Sequence, residues 1–124
     1  MSPKFVPAGL TELQRIWLLA ELPGETLVRL AGKMRREQIP AGGAVVEEGE
    51  DGDRFYVVLT GMFTVSQASL GPRSVLRPGD YFGEVALAMD IPRTASVRAL
   101  TPATVASCDR ETFDEFIRPL FADP

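Results

Sequence analysis

Between Arg36 and Cys108 turn residues cut the chain into short runs, and that punctuation most narrows what it can fold into. Breaks fall at residues 40–43 and 48–53, at Gly61, and at residues 69–72, 78–80 and 101–102. Between them lie the runs 45–46, 55–59, 62–65, 74–76, 94–100 and 103–108. A strand and its turn recurring roughly every 8–12 residues is the rhythm of an antiparallel sandwich or jelly roll.

The flanks read differently. Residues 1–10 carry two prolines and no periodicity, as an arm would. Thr11-Glu12-Leu13-Gln14 has the spacing of a capping box, with Gln14 placed to reach back to the Thr11 backbone. Leu13, Ile16, Trp17 and Ala20 then share one helical face, which assigns Trp17 to core or interdomain packing. Pro23-Gly24 ends that helix, and Leu27, Leu30, Ala31 and Met34 predict a second. Near the other end Asp109 is placed to cap a last helix, with Glu111 and Asp114 at the positive end of its dipole. Phe113, Phe116, Ile117 and Leu120 form its buried stripe, and Pro119 stops or kinks it. The expected organisation is an arm over 1–10 and one domain over 11–124. Within that domain, helices occupy about 11–34, a β-roll about 36–108 and a C-terminal helix about 110–120.

Composition removes several chemistries. With one cysteine and no histidine, no intrachain disulfide, cysteine-held zinc or iron–sulfur cluster, or histidine-based catalysis is possible. No nucleophile–base pair or metal constellation can be assembled, so the expectation is a protein that is not an enzyme. A net charge of -4 argues against nucleic acid as a partner, which wants a concentrated basic face. No apolar run approaches the ~20 residues of a membrane span, and no signal-peptide pattern opens the chain. A cytoplasmic module without direct membrane insertion is expected. The acidic stretch 47–53 lacks the ligand register of a calcium loop and reads as a solvated turn. Cys108 reads as a small buried hydrophobe.

Residues 79–99, GDYFGEVALAMDIPRTASVRA, concentrate the remaining chemistry. A turn at Gly79-Asp80 leads through the aromatic pair Tyr81-Phe82 to Gly83-Glu84. An apolar stretch over 85–89 follows, long enough for one or two helical turns, and a break at 90–92 precedes Arg93-Thr94. A glycine before a short helix lets backbone N–H groups approach a ligand, and a helix N-terminus favours an anion. Arg93 is placed to pair with that anion through two parallel hydrogen bonds. Glu84 is an acceptor-only group suited to a sugar hydroxyl. One phosphate and one ribose hydroxyl, a nucleotide's width apart, is the pattern. Two blander roles stay open: Arg93 as a surface ion-pair partner, even of Glu84, and Glu84 as a simple helix cap.

Phe82-Gly83-Glu84-Val85-Ala86-Leu87, followed by Pro92-Arg93-Thr94-Ala95-Ser96-Val97-Arg98-Ala99, resembles the phosphate-binding cassette of cyclic nucleotide-binding domains. That family includes kinase regulatory subunits, cyclic nucleotide-gated channels and catabolite activator proteins. Residues 49–61 resemble its third strand and flanking turns, and residues 76–80 the lead-in to the cassette. The resemblance spans most of the chain from about Leu22 to Leu120. It implies a mainly β fold: an antiparallel β-roll, or double-stranded jelly roll, with N-terminal helices, a short cassette helix and a C-terminal helix.

For the site the resemblance implies that Arg93 pairs with the cyclic phosphate of cAMP or cGMP and that Glu84 accepts from the ribose 2′-OH. Backbone groups of Gly83, Val85 and Ala86 complete the cradle, beside Phe82. Thr94 stands where members carry Thr, Ser or Ala, and a hydroxyl there reaches the phosphate and, in cGMP-responsive members, the guanine amino group. Val65 and Leu76 fall on strands that face the base. No cofactor or metal is implied. The partner is an effector on the same natural chain or on another protein. Complete members continue into a helix that folds over the base as a lid, and the expectation is that this chain lacks it. The competing expectation is a structural or docking domain that keeps the fold and responds to no nucleotide.

Overall fold

Turn residues and β-formers alternate into two four-stranded antiparallel sheets in the computed structural model, which describes residues 7–121. One sheet has the order β1 (Arg35–Ile39), β8 (Ala103–Asp109), β3 (Arg54–Thr60) and β6 (Tyr81–Phe82). The other runs β2 (Ala44–Val46), β7 (Ser96–Ala99), β4 (Phe63–Gln67) and β5 (Gly71–Leu76). The fold is thus mainly antiparallel β with a few helices. The run expected over 94–100 is shorter as a strand, because Thr94 and Ala95 precede the paired ladder.

Strands β3 and β8 are buried on both faces. Phe55 and Val57 join Ala106 and Cys108 in a core beneath the helices. Their neighbours Tyr56 and Val58 join Ala103 and Val105 in a second core inside the roll. Double burial explains why both stretches read as near-continuous apolar runs rather than alternating ones. Cys108 lies fully in the first core, and burial pushes its thiol up to about 12, so it packs as a hydrophobe.

The helical core departs from the pattern expected over residues 11–20. Helix α1 spans only Leu10–Gln14, and its reach-back bond runs from Gly9 N–H to Glu12 Oε1 at 3.1 Å, not between Thr11 and Gln14. Beyond it the chain continues in tight turns, with Ile16, Leu19 and Leu22 amides donating to the carbonyls three residues earlier at 3.0, 2.9 and 3.1 Å. The apolar period is therefore three: Leu13, Ile16 and Leu19 are fully buried, and Leu22 partly. Trp17 and Ala20 fall off that face. Trp17 is 63% exposed and meets Tyr81 at a ring-centroid distance of 6.0 Å, so it is not a core residue.

Helix α2 (Gly24–Lys33) buries Leu27, Leu30 and Ala31, with Met34 just beyond its end. After β8, Asp109 Oδ1 accepts from Thr112 N–H at 2.9 Å and starts helix α4 (Arg110–Thr112). The helix widens to a π turn over Phe113–Ile117 and tightens to a 3₁₀ turn over Arg118–Phe121. Phe113, Phe116 and Ile117 are buried and Leu120 partly so. Among the described residues, no helix is long and apolar enough to cross a membrane.

Phe113 has no exposed surface and its ring lies 5.5 Å from that of Phe55. Replacing it with alanine is expected to lower the unfolding free energy by about 3–5 kcal/mol, read as a drop in the urea midpoint at constant slope.

Candidate ligand-binding site

Gly83 starts the site. It sits at φ +94, a left-handed conformation that turns β6 into the six-residue helix α3 (Glu84–Met89). A β-carbon there would lie 2.9 Å from both the Arg54 carbonyl oxygen and Arg93 Nη1, so the position excludes side chains on steric as well as conformational grounds.

Arg93 is 7% exposed. Its Nη1 donates to the Gly83 carbonyl at 3.2 Å and its Nη2 to the Arg54 carbonyl at 2.9 Å. Its Cζ lies 6.0 Å from the centre of the Tyr56 ring, and that ring stacks on Phe82 at 4.9 Å and 5°. The acidic stretch supplies the rest of the seat through its backbone. Arg93 N–H donates to the Glu50 carbonyl at 2.8 Å, and Gly49 N–H donates to the Arg93 carbonyl at 2.9 Å. Gly52 is buried against the guanidinium, where an added β-carbon would lie 2.6 Å from Cζ. The stretch is more than a solvated turn, since its backbone fixes the arginine while most of its side chains face water.

Among the described residues, no carboxylate lies at ion-pair distance from this cation. Among the described residues, none of the ion pairs includes Arg93 or Glu84, so the surface pairing left open above does not form. A guanidinium has five N–H bonds, and carbonyl dipoles only partly offset its desolvation. Burial accordingly pushes the Arg93 pKa down, against the opposing fields of Tyr56, Asp53, Glu50 and Glu84. Burial also pushes the Glu84 carboxyl up, opposed by a backbone hydrogen bond and by Arg93. Both charges are therefore held under desolvation, with backbone hydrogen bonds and, among the described residues, no oppositely charged partner at ion-pair distance.

Every residue expected at the site lines one cavity of about 210 Å³: Phe82, Gly83, Glu84, Val85, Ala86, Arg93, Thr94, Val65 and Leu76. The cassette forms its polar side. Val46, Val65, Leu76 and Val97, from the sheet that contains β2 and β7, form an apolar wall. A side carrying Arg93, Glu84 and the Thr94 hydroxyl thus faces an apolar one, the composition of a small-molecule pocket. Val46, Val97, Tyr81, Ala95 and the seat formed by Gly52 and Tyr56 were not singled out from the sequence. The paired glycines of the acidic stretch were the available signal.

The sequence profile of the cyclic nucleotide-binding domain matches residues 36–119. A cAMP-dependent protein kinase regulatory subunit of Debaryomyces hansenii is 36% identical over 107 residues, covering 86% of this chain and 24% of that protein. The chain thus spans about a quarter of the length of that curated relative, which is described as a regulatory subunit. Among solved structures, the regulatory domain of Toxoplasma gondii PKA with cAMP superposes with a TM-score of 0.83 at 28% identity, covering 90% of this chain and 44% of that one. The regulatory subunit of a cAMP-independent protein kinase A from Trypanosoma brucei reaches 0.86 at 23% identity, covering 90% and 41%, a likeness of fold alone. Since the profile extends over well more than half of its length, the chain belongs to the cyclic nucleotide-binding domain family.

Proposed function

We propose that the cavity binds a cyclic purine nucleotide, cAMP before cGMP, and that the domain acts as a regulatory sensor rather than a catalyst. The observation that carries this reading is the buried Arg93 guanidinium, seated on carbonyls, bordering the cavity and, among the described residues, without a carboxylate at ion-pair distance. A cyclic phosphate supplies the missing anion through charge-assisted bonds. Glu84 accepts from the ribose 2′-OH, backbone groups of Gly83, Val85 and Ala86 line the sugar-phosphate, and Thr94 adds a hydroxyl. Val46, Val65, Leu76 and Val97 offer the base its apolar wall. The preference for cAMP rests on relatives described as cAMP-dependent and on a neighbour solved with cAMP. Those relatives also favour an effector of the protein kinase class, on the same natural chain or as a partner. Regulation follows where the nucleotide binds one arrangement of the domain better than another.

The alternative is a domain that keeps the fold without responding to nucleotide. The likeness to a subunit of a cAMP-independent kinase means that the fold does not by itself decide between them. Calorimetric titration with cAMP and cGMP does, and absence of heat with either would favour the alternative.

Arg93→Ala is expected to weaken cAMP binding a few hundredfold or more, since a buried phosphate loses its cation. Glu84→Ala is expected to lose less, about ten- to a hundredfold, because it removes one hydrogen bond to a charged acceptor. Titration of both variants tests the order, and near-wild-type affinity in Arg93→Ala would sink the assignment.

Gly52→Ala is expected to keep the fold, because the atoms it meets belong to an arginine side chain that can swing away. The same swing removes the phosphate partner, so affinity should drop at least about tenfold while the thermal midpoint stays near wild type.

The Glu84 carboxyl gives a pH signature. Its folded pKa lies above the ordinary 4.5, chiefly through burial. In the ligand-free protein its contribution to stability is fully present below the ordinary value and is lost as pH rises through the raised one. Nucleotide affinity runs the other way, because only the carboxylate is a strong acceptor, and falls as pH drops through the raised value. Titrations across that window are expected to show the fall in wild type and a flat profile in Glu84→Gln.

A further inference from the structure

Two polar side chains near the cavity, Gln67 and Glu48, make none of the proposed ligand contacts, yet both are tied to the segment that carries Arg93 and Thr94. Gln67 ends β4 two residues past Val65, so its side chain leaves the strand on the face of that cavity-lining valine. Its Nε2 donates to the Thr94 carbonyl at 2.9 Å. The ladder between β4 and β7 stops at Ser66 opposite Ser96, leaving Thr94 beyond the last paired residues. The glutamine side chain thus supplies the bond that the ladder no longer provides.

Glu48 closes the arrangement from the other loop. Its Oε2 accepts from the Ala68 N–H at 2.7 Å, and its own N–H donates to Ser96 Oγ at 2.9 Å. The next two residues, Gly49 and Glu50, exchange backbone bonds with Arg93. The β4–β5 hairpin, the 48–50 loop and residues 93–96 therefore form a closed ring of hydrogen bonds around the start of β7.

We infer that Gln67 and Glu48 are positioning residues, which hold the Arg93–Thr94 backbone so that the guanidinium and the hydroxyl meet the ligand without being ordered at the moment of binding. This inference rests on the cyclic nucleotide reading of the cavity. Without the ring, two residues outside the ladder would sample other backbone states, and that lost freedom would be subtracted from the affinity. Both hydrogen bonds are solvent-facing and exchange readily with bonds to water, so they add little to global stability. Their loss acts on the site and not on the fold.

The test uses the whole chain and the variants Gln67→Glu, Glu48→Ala and Glu48→Gln, with cAMP titration, thermal midpoints and amide exchange of the ligand-free protein. Gln67→Glu replaces the donor with a carboxylate facing the Thr94 carbonyl, and Glu48→Ala removes the acceptor for Ala68. Each is expected to weaken cAMP binding about 3- to 10-fold at an unchanged midpoint, with faster exchange confined to the segment around residues 93–96. Glu48→Gln keeps an acceptor oxygen and is expected to behave as wild type. Wild-type affinity and exchange in Gln67→Glu and Glu48→Ala would overturn the inference while leaving the site assignment intact. Equal losses in Glu48→Ala and Glu48→Gln would overturn it for Glu48, because charge and not the hydrogen bond would then be acting. If the wild-type chain binds no cyclic nucleotide, the ligand reading fails and exchange decides alone: faster exchange near 93–96 supports the ring, and unchanged exchange overturns it.

Discussion

The site depends on one buried cation held by carbonyl dipoles. Arg93 has surrendered its water, and in return it has two backbone carbonyls and the face of Tyr56. These contacts fix the guanidinium in place without neutralising it. Gly52 and Gly83 make the slot by having no side chain, one against the guanidinium carbon and one against Nη1. A donor set that is oriented, desolvated and short of an anion is what recognition of a phosphate needs, because little reorganisation remains to be done on binding.

The cassette that carries this cation would not hold its shape alone. Helix α3 has six residues, too few to be stable in isolation. It is held by Leu87, which is fully buried in the core beneath the helices. Its last carbonyls are capped by arginines of the C-terminal helical segment: Arg110 donates to Leu87 at 3.3 Å, and Arg118 donates to Leu87 and Ala88 at 3.1 and 3.2 Å. Positive side chains suit the negative end of a helix. Arg110 also donates to the Gly52 carbonyl at 3.3 Å, so the same residue touches the cassette helix and the loop that seats Arg93.

Strand β3 joins these parts because it is buried on both faces. Phe55 and Val57 pack under the helices, while Tyr56, between them, lies inside the roll beneath the Arg93 guanidinium. The Arg54 carbonyl at its start accepts from Arg93. A single extended segment thus links the helical core, the roll interior and the polar end of the cavity, and alternation along a strand is what allows neighbours to serve different layers.

By itself the sequence determined the features that local pattern can carry. The strand-and-turn rhythm between Arg36 and Cys108 specified a mainly antiparallel β fold, and the i, i+3, i+4, i+7 spacing of Leu27, Leu30, Ala31 and Met34 specified helix α2. Tertiary structure decided the rest. Only packing distinguished a period of three from 3.6 after Leu13, and so excluded the core and left the surface for Trp17, where the two readings of core or interdomain packing had stood open. Only the assembled roll showed that Gly49 and Glu50 hold Arg93 through their backbone and that Gly52 leaves room for its guanidinium, although the stretch reads as a solvated acidic turn. Side-chain patterns report which residues are buried along one element. Carbonyl and amide partners belong to every residue alike, so which of them meet is decided where distant segments come together.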